Sequence, residues 1–227
     1  MKPDTPFPIP EAWTFGVQIA IVASVQDATH MGRVQLRLVA PDADGEALLW
    51  ARVAVPFAGA DAGAFFIPDI GDEVVVAFIA GDPRHPVVIG SLWNGARGAP
   101  ERLPGSRVDR WSITGRNGTR IAIVEAGPGQ ETISLETPAG VSATVTDEGG
   151  GKITCAAAGN SFTLDPSGTT LNAPAGVTIT TGKATVTAGQ VTVNSAFANF
   201  SGVIKCATLI TNSVVSASYT PGAGNIW

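Results

Sequence analysis

The chain is short of charge, of aromatic rings and of cysteine, and it has no long apolar run. Only 15% of its 227 residues are charged and 7% are aromatic. No arginine follows Arg120, and Asp147, Glu148 and Asp165 are the only acids beyond residue 140. A formal charge of −5 and no cluster of Lys and Arg argue against nucleic-acid binding. The mean hydropathy is positive, +0.23, yet no stretch of about 18 apolar residues exists to cross a membrane as a helix. Cys155 and Cys206 sit in β-type phrases and are expected to be small buried packing groups, not a disulfide or a metal site. His30 and His85 are the only histidines, and no Cys-x-x-Cys, His-x-x-x-His or phosphate-loop pattern occurs. Catalytic, metal and cofactor-binding residues are therefore expected to be absent. The N-terminus, MKPDTPFPIPEAW, lacks the apolar centre of a signal peptide, which predicts synthesis in the cytoplasm.

What is present changes character near residue 112. Residues 1–12 read as an extended arm punctuated by Pro3, Pro6, Pro8 and Pro10. Residues 13–95 carry strand signals at short spacing: 16–22, 32–39, 48–55, 64–68, 72–79 and 86–92, with a turn at 40–45. In the second of these Val34, Leu36 and Leu38 face one way and Arg33, Gln35 and Arg37 the other. No amphipathic helix of useful length interrupts them. Several short strands with tight turns predict a small closed barrel. Gly, Pro and Arg then mark a linker at 96–111.

From 112 to 217 the chain is a string of short Thr- and Val-rich phrases: 132–135, 141–145, 152–155, 162–164, 177–179, 184–186 and 191–193. Their apolar centres recur every seven to ten residues, and the spacing shortens toward the end. That is one strand and one turn, repeated. Asn117-Gly118, between apolar runs, signals a hairpin. A repeat with so little charge and so few aromatics cannot bury itself alone, so partner chains are expected to share its strands. Residues 218–227 end the repeat with Tyr219, Ile226 and Trp227.

Residues 32–95 carry an ordered set of motifs: Gly32-Arg33-Val34, Trp50-Ala51-Arg52-Val53, Ile67-Pro68, Gly71-Asp72-Glu73-Val74, Gly81-Asp82-Pro83 and Gly90-Ser91-Leu92-Trp93-Asn94-Gly95. This string resembles the oligonucleotide/oligosaccharide-binding (OB) barrel of contractile-tail spike proteins, the family of phage baseplate assembly protein V and the VgrG proteins. It covers roughly a third of the chain. Within it Gly32, Trp50, Gly71, Asp72, Gly81, Asp82, Gly90 and Trp93 are the structural motif positions. Turn chemistry accounts for Gly71-Asp72 and Gly81-Asp82-Pro83. Gly90 is expected to permit a bend or a close approach, and the two Trp are expected to be core or interface anchors.

The resemblance implies an all-β homotrimer: an N-terminal OB barrel, then an intertwined triple-stranded β-helix over 112–217. About eleven phrases stacked at roughly 4.8 Å would give a rod about 50 Å long. It also implies the short form, whose hub is a separate protein docked on the barrels, with the arm at 1–12 a candidate for the same contact. The chain has no His-x-His, so a separate tip protein of the PAAR-repeat kind is implied. Tyr219, Ile226 and Trp227 are candidates either to meet it or to pack the three chain ends together. The expected role is a baseplate spike of a phage tail or phage tail-like particle, delivered to the target envelope and touching its membrane transiently. The competing reading is a single-chain β-helix that binds or acts on carbohydrate; the lack of an acidic face or aromatic ladder counts against it. A small enzyme built on the barrel is a third.

Overall fold

The computed structural model describes residues 16–39 and 48–218. The arm at 1–12, the turn at 40–45, Tyr219, Ile226 and Trp227 lie outside the described residues. The described chain divides into two compact units, one running to Gly176 and one from Val177 onward.

The first unit opens with β1 (Val17–Ser24), β2 (Val34–Leu38), β3 (Leu48–Val53), β4 (Ala58–Gly59), β5 (Ala62–Gly63), β6 (Glu73–Phe78) and β7 (Pro86–Leu92). Five of these close a barrel in the order β1-β2-β3-β7-β6. The β3–β7 seam is parallel and the others antiparallel. Alternation decides which side chains point in. Ala20, Val22, Val34, Leu36, Ala51, Val74, Val76, Phe78 and Val88 form the core, with Leu38, Leu49, Val53 and Ile67 packed against it. The face assigned to Val34, Leu36 and Leu38 is thus the one that meets the core.

The expected fourth strand at 64–68 does not form. Ala64 N donates to Phe57 O at 3.1 Å, and residues 64–68 belong to no strand ladder. Phe65 is 82% exposed, Ile67 packs against the core and Pro68 is buried. The run lacks alternation, and Pro68 has no N–H to give. The short β4–β5 hairpin takes its place.

A second sheet follows: β8 (Arg110–Thr114), β9 (Arg120–Glu125), β10 (Glu131–Glu136), β11 (Ser142–Thr146), β12 (Lys152–Ala157), β13 (Asn160–Asp165) and β14 (Gly168–Asn172). It is an antiparallel meander in which each strand pairs only with its chain neighbours. Over 110–172 the phrases expected to pair between chains therefore pair within one chain. The reason is turn length: Asn117-Gly118 and Ala158-Gly159 close hairpins tight enough to bring consecutive strands together. Gly118 takes φ +88°, Ala158 +50° and Gly159 +80°.

The second unit is different. Among the described residues, 177–218 form no strand and no backbone–backbone hydrogen bond.

Candidate interaction surface

The meander's register sorts its side chains into two faces. On one, two rows run across the sheet. The first is Trp111, Ile123, Ile133, Val145, Ile153, Leu164 and Thr169; the second is Ile113, Ile121, Leu135, Ala143, Cys155, Phe162 and Leu171. Thr169 is the single polar member apart from the thiol. On the other face Ser112, Ala122, Ser134, Thr144, Thr154, Thr163 and Thr170 make a row of small and hydroxyl side chains.

Burial runs opposite to polarity. Ala122 and Ser134, on the hydroxyl face, are 1% and 5% exposed, while the eleven large apolar residues of the two rows are each 37–57% exposed. The segment before β8 explains this. Glu101 accepts from Arg120 Nε and pairs with its Nη2, both at 2.8 Å, and Arg120 Nη1 donates to Ser134 Oγ at 3.4 Å. Arg110 binds the buried Asp109 through Nε at 2.8 Å and Nη2 at 3.1 Å. The Arg120 guanidinium, with Ser112 second, holds the Glu101 carboxyl below its ordinary range, and Arg110 does the same for Asp109. So the polar face is tied down by its own chain, and the apolar face is open. Cys155, expected to be buried, is exposed on that open face, and Cys206 is exposed as well.

The second unit carries its own periodicity. The backbone bends at Gly182, Gly189 and Ala196, then at Ser201-Gly202, Ala207, Asn212 and Ala217, so the interval falls from seven residues to five. Hydroxyls set several of the bends. Ser195 Oγ accepts from Phe197 N at 3.2 Å and donates to Phe197 O at 2.6 Å, and Ser216 does the same for Ser218 at 3.3 and 2.6 Å. Thr181 repeats the pattern with Lys183. These are local Ser/Thr turns that need no partner strand. Between the bends Val186, Val193, Ile204 and Leu209 are all more than 60% exposed. An apolar chain with its backbone groups unpaired needs other strands to satisfy them.

The motif residues of the barrel sit in turns and seams. Gly32 (φ +67°) lies under Ile67 and Phe65. Trp50 is half-buried, with the Arg33 guanidinium 5.6 Å from its ring centroid, a cation–π distance. Gly71 (φ +82°) leaves room for Arg97, whose Nη2 would be 2.5 Å from any Cβ there. Asp72 Oδ2 accepts from Asp69 N at 2.8 Å. Gly81 is buried at φ +79°, and Asp82 next to it is held by Arg84, which keeps its carboxyl well below the usual range. Gly90 faces open space beside a register shift between β6 and β7, so it marks a bend and not a close approach. Trp93 is 71% exposed and stands outside the core, beside Asp72, Glu73 and Arg97 in an open cleft of about 220 Å³.

Sequence reasoning missed the cluster around Asp27. Asp27, almost buried, accepts from Thr29 Oγ1 at 2.7 Å, Arg33 Nη2 at 2.8 Å, Met31 N at 3.0 Å, and Thr29 N and Arg33 Nε at 3.1 Å. The Asp-x-Thr spacing at 27–29 was its visible signal, a side chain that caps its own turn.

Comparison with known proteins agrees with this architecture. Residues 18–93 match the family described as the type VI secretion system/phage-baseplate injector OB domain. Two spike proteins of Pseudomonas aeruginosa are each 31% identical to the chain: VgrG1a over 46% of it and VgrG5 over 56%. VgrG3 of Vibrio cholerae is 42% identical over 24% of it. The chain spans 17%, 18% and 5% of those proteins respectively. The closed barrel all but coincides with the matched region and the meander begins beyond it; in that barrel the chain is similar to the injector OB domain of VgrG-like baseplate spike proteins.

Proposed function

We propose that this chain is the central spike of a contractile injection apparatus, assembled as three copies. The carrying observation is the open apolar face of the meander; the bent, unpaired repeat of 177–218 has the same need of partner strands. Three such faces turned inward cover one another; the strap covers the start of each hydroxyl row, and Thr170 at its end faces water. The region 112–217 then works as an intertwined rod whose first part is built from intact hairpins and whose later part shares strands between copies. Completing those ladders removes exposed strand edges except at the ends.

In this reading the barrels form a collar that docks on a separate hub protein, with the arm at 1–12 adding to the contact. Tyr219, Ile226 and Trp227 end the rod, where a PAAR-type tip protein caps it. The apparatus is built from cytoplasmic protein, and the rod pierces the target envelope by force, not by catalysis. The strands of 110–172 run antiparallel in hairpins, which does not support the competing single-chain carbohydrate β-helix. Light scattering on the full chain tests the reading. A mass near three times 23.1 kDa is expected; a stable monomer with no concentration dependence rejects it.

A further inference from the structure

The barrel and the meander are joined by more than the covalent chain. The barrel turn at 69–72 presents two carboxylates side by side. It is anchored to β1, because Gly71 N donates to Val22 O at 2.8 Å, and it is closed by Asp72 N donating to Asp69 O at 2.9 Å. Two arginines from outside the barrel converge on it. Arg97 comes from the connecting strap and binds Asp72 Oδ1. Arg116 comes from the β8–β9 turn of the meander; its Nη2 lies 2.8 Å from Asp69 Oδ2 and 3.9 Å from Asp72 Oδ1. Arg97 is itself aimed. Asn94 Oδ1 accepts from Ala96 N and Arg97 N at 3.0 and 2.9 Å, while Asn94 Nδ2 donates to Glu73 Oε2 at 2.9 Å. The far end of the strap is tied to the meander by Glu101 and Arg120.

We propose that this cluster is an ionic clasp that sets the angle between barrel and meander, with Arg116 as its positioning residue. The proposal goes beyond the spike reading and does not depend on how many copies assemble. Two adjacent carboxylates repel each other; the backbone N–H groups of Asp69 and Ile70 meet one oxygen of each, and the two guanidiniums offset the remaining charge. One cation belongs to the strap and the other to the meander, so the turn is satisfied in one relative placement of the two sheets. Each pair is half-exposed and weak alone. The effect is therefore to select an orientation of parts already folded, and it weakens with salt.

The test is hydrogen exchange on the full chain, read at the hydrogen-bonded amides of the strap (Ala96, Arg97) and of the β8–β9 turn (Gly115, Gly118) and at β1 and β6. Arg116→Glu is expected to speed exchange of the strap and the turn about tenfold and to leave β1 and β6 unchanged. The swap of Arg116→Asp with Asp69→Arg is expected to restore the slow rate, Arg116→Lys to restore it in part, and 0.5 M salt to speed exchange in the parent protein. No change in Arg116→Glu, or no rescue by the swap, overturns the proposal. Faster exchange in β1 and β6 as well would mean that Arg116 supports the barrel fold itself, and that also overturns it.

Discussion

Placing one carboxylate on the open face of the meander, by Ile133→Asp, is the sharpest test of what that face is for. Ile133 sits in the middle of its row, between Ile123 and Val145, and is 51% exposed in the single chain. Full burial of such a side chain is worth about 1.5–3 kcal/mol, so covering its remaining half is worth about 1 kcal/mol. Eleven large apolar residues in the two rows stand at similar exposure, which gives roughly 10 kcal/mol per chain and roughly 30 kcal/mol for three. Aspartate removes about 1 kcal/mol of apolar contact per chain and buries an unpaired charge at several kcal/mol, near two like charges. Summed over three copies the loss is about 10 kcal/mol or more, a large part of the roughly 30 kcal/mol that covering the two rows supplies. Light scattering should show Ile133→Asp near 23.1 kDa with far-UV circular dichroism still of β type. Thr170→Asp, on the hydroxyl face, should keep the assembled mass. If Ile133→Asp assembles like the parent, or Thr170→Asp dissociates equally, the apolar face is not the joint and the reasoning fails.

Leu36→Ala empties the centre of the barrel, where the side chain is fully buried; denaturant unfolding should show a loss of about 2–5 kcal/mol. Gly118→Ala keeps ordinary contact with Pro138, 3.6 Å away, but forces a side chain to φ +88°; a cost of about 1–2 kcal/mol is expected, from backbone strain alone. The Arg33 guanidinium, followed by Thr29, holds the Asp27 carboxyl far below its ordinary value. A depressed folded-state pKa gives stability that is present above the unfolded value near 4 and is lost as pH falls below it. Urea midpoints should therefore drop between pH 4 and pH 2, and Asp27→Asn should lower the midpoint at neutral pH while flattening that acid slope.

The barrel was legible in the sequence because its strands obey a simple code. Val34-Gln35-Leu36-Arg37-Leu38 alternates, one face must be buried, and the register follows. The segment 64–68 misled because Phe65, Phe66 and Ile67 have β propensity without alternation; propensity says how a residue fits a sheet, not whether a neighbouring strand is there to pair. The meander was half legible. Its phrases and the Asn117-Gly118 hairpin were plain, but weighing burial alone pointed to strands shared between chains. Two-residue loops such as Ala158-Gly159 carry the contrary information, since they permit little except pairing with the next strand. The clasp was not legible at all. Asp69 and Asp72 look like turn residues and Arg116 like solvent-facing charge; 44 positions separate Asp72 from Arg116, and only the folded chain brings them together.

The shrinking interval between backbone bends has a mechanical consequence. If each bend in 182–217 marks a corner of a three-copy coil, the side of that coil shortens from seven residues to five, or from about 23 Å to about 16 Å at the extended rise of roughly 3.3 Å per residue. Cross-sectional area scales with the square of that ratio and falls to about half. The same thrust would then be delivered at about twice the pressure where the coil is narrow, so sharpness would be written into the spacing of small residues and hydroxyls along the chain.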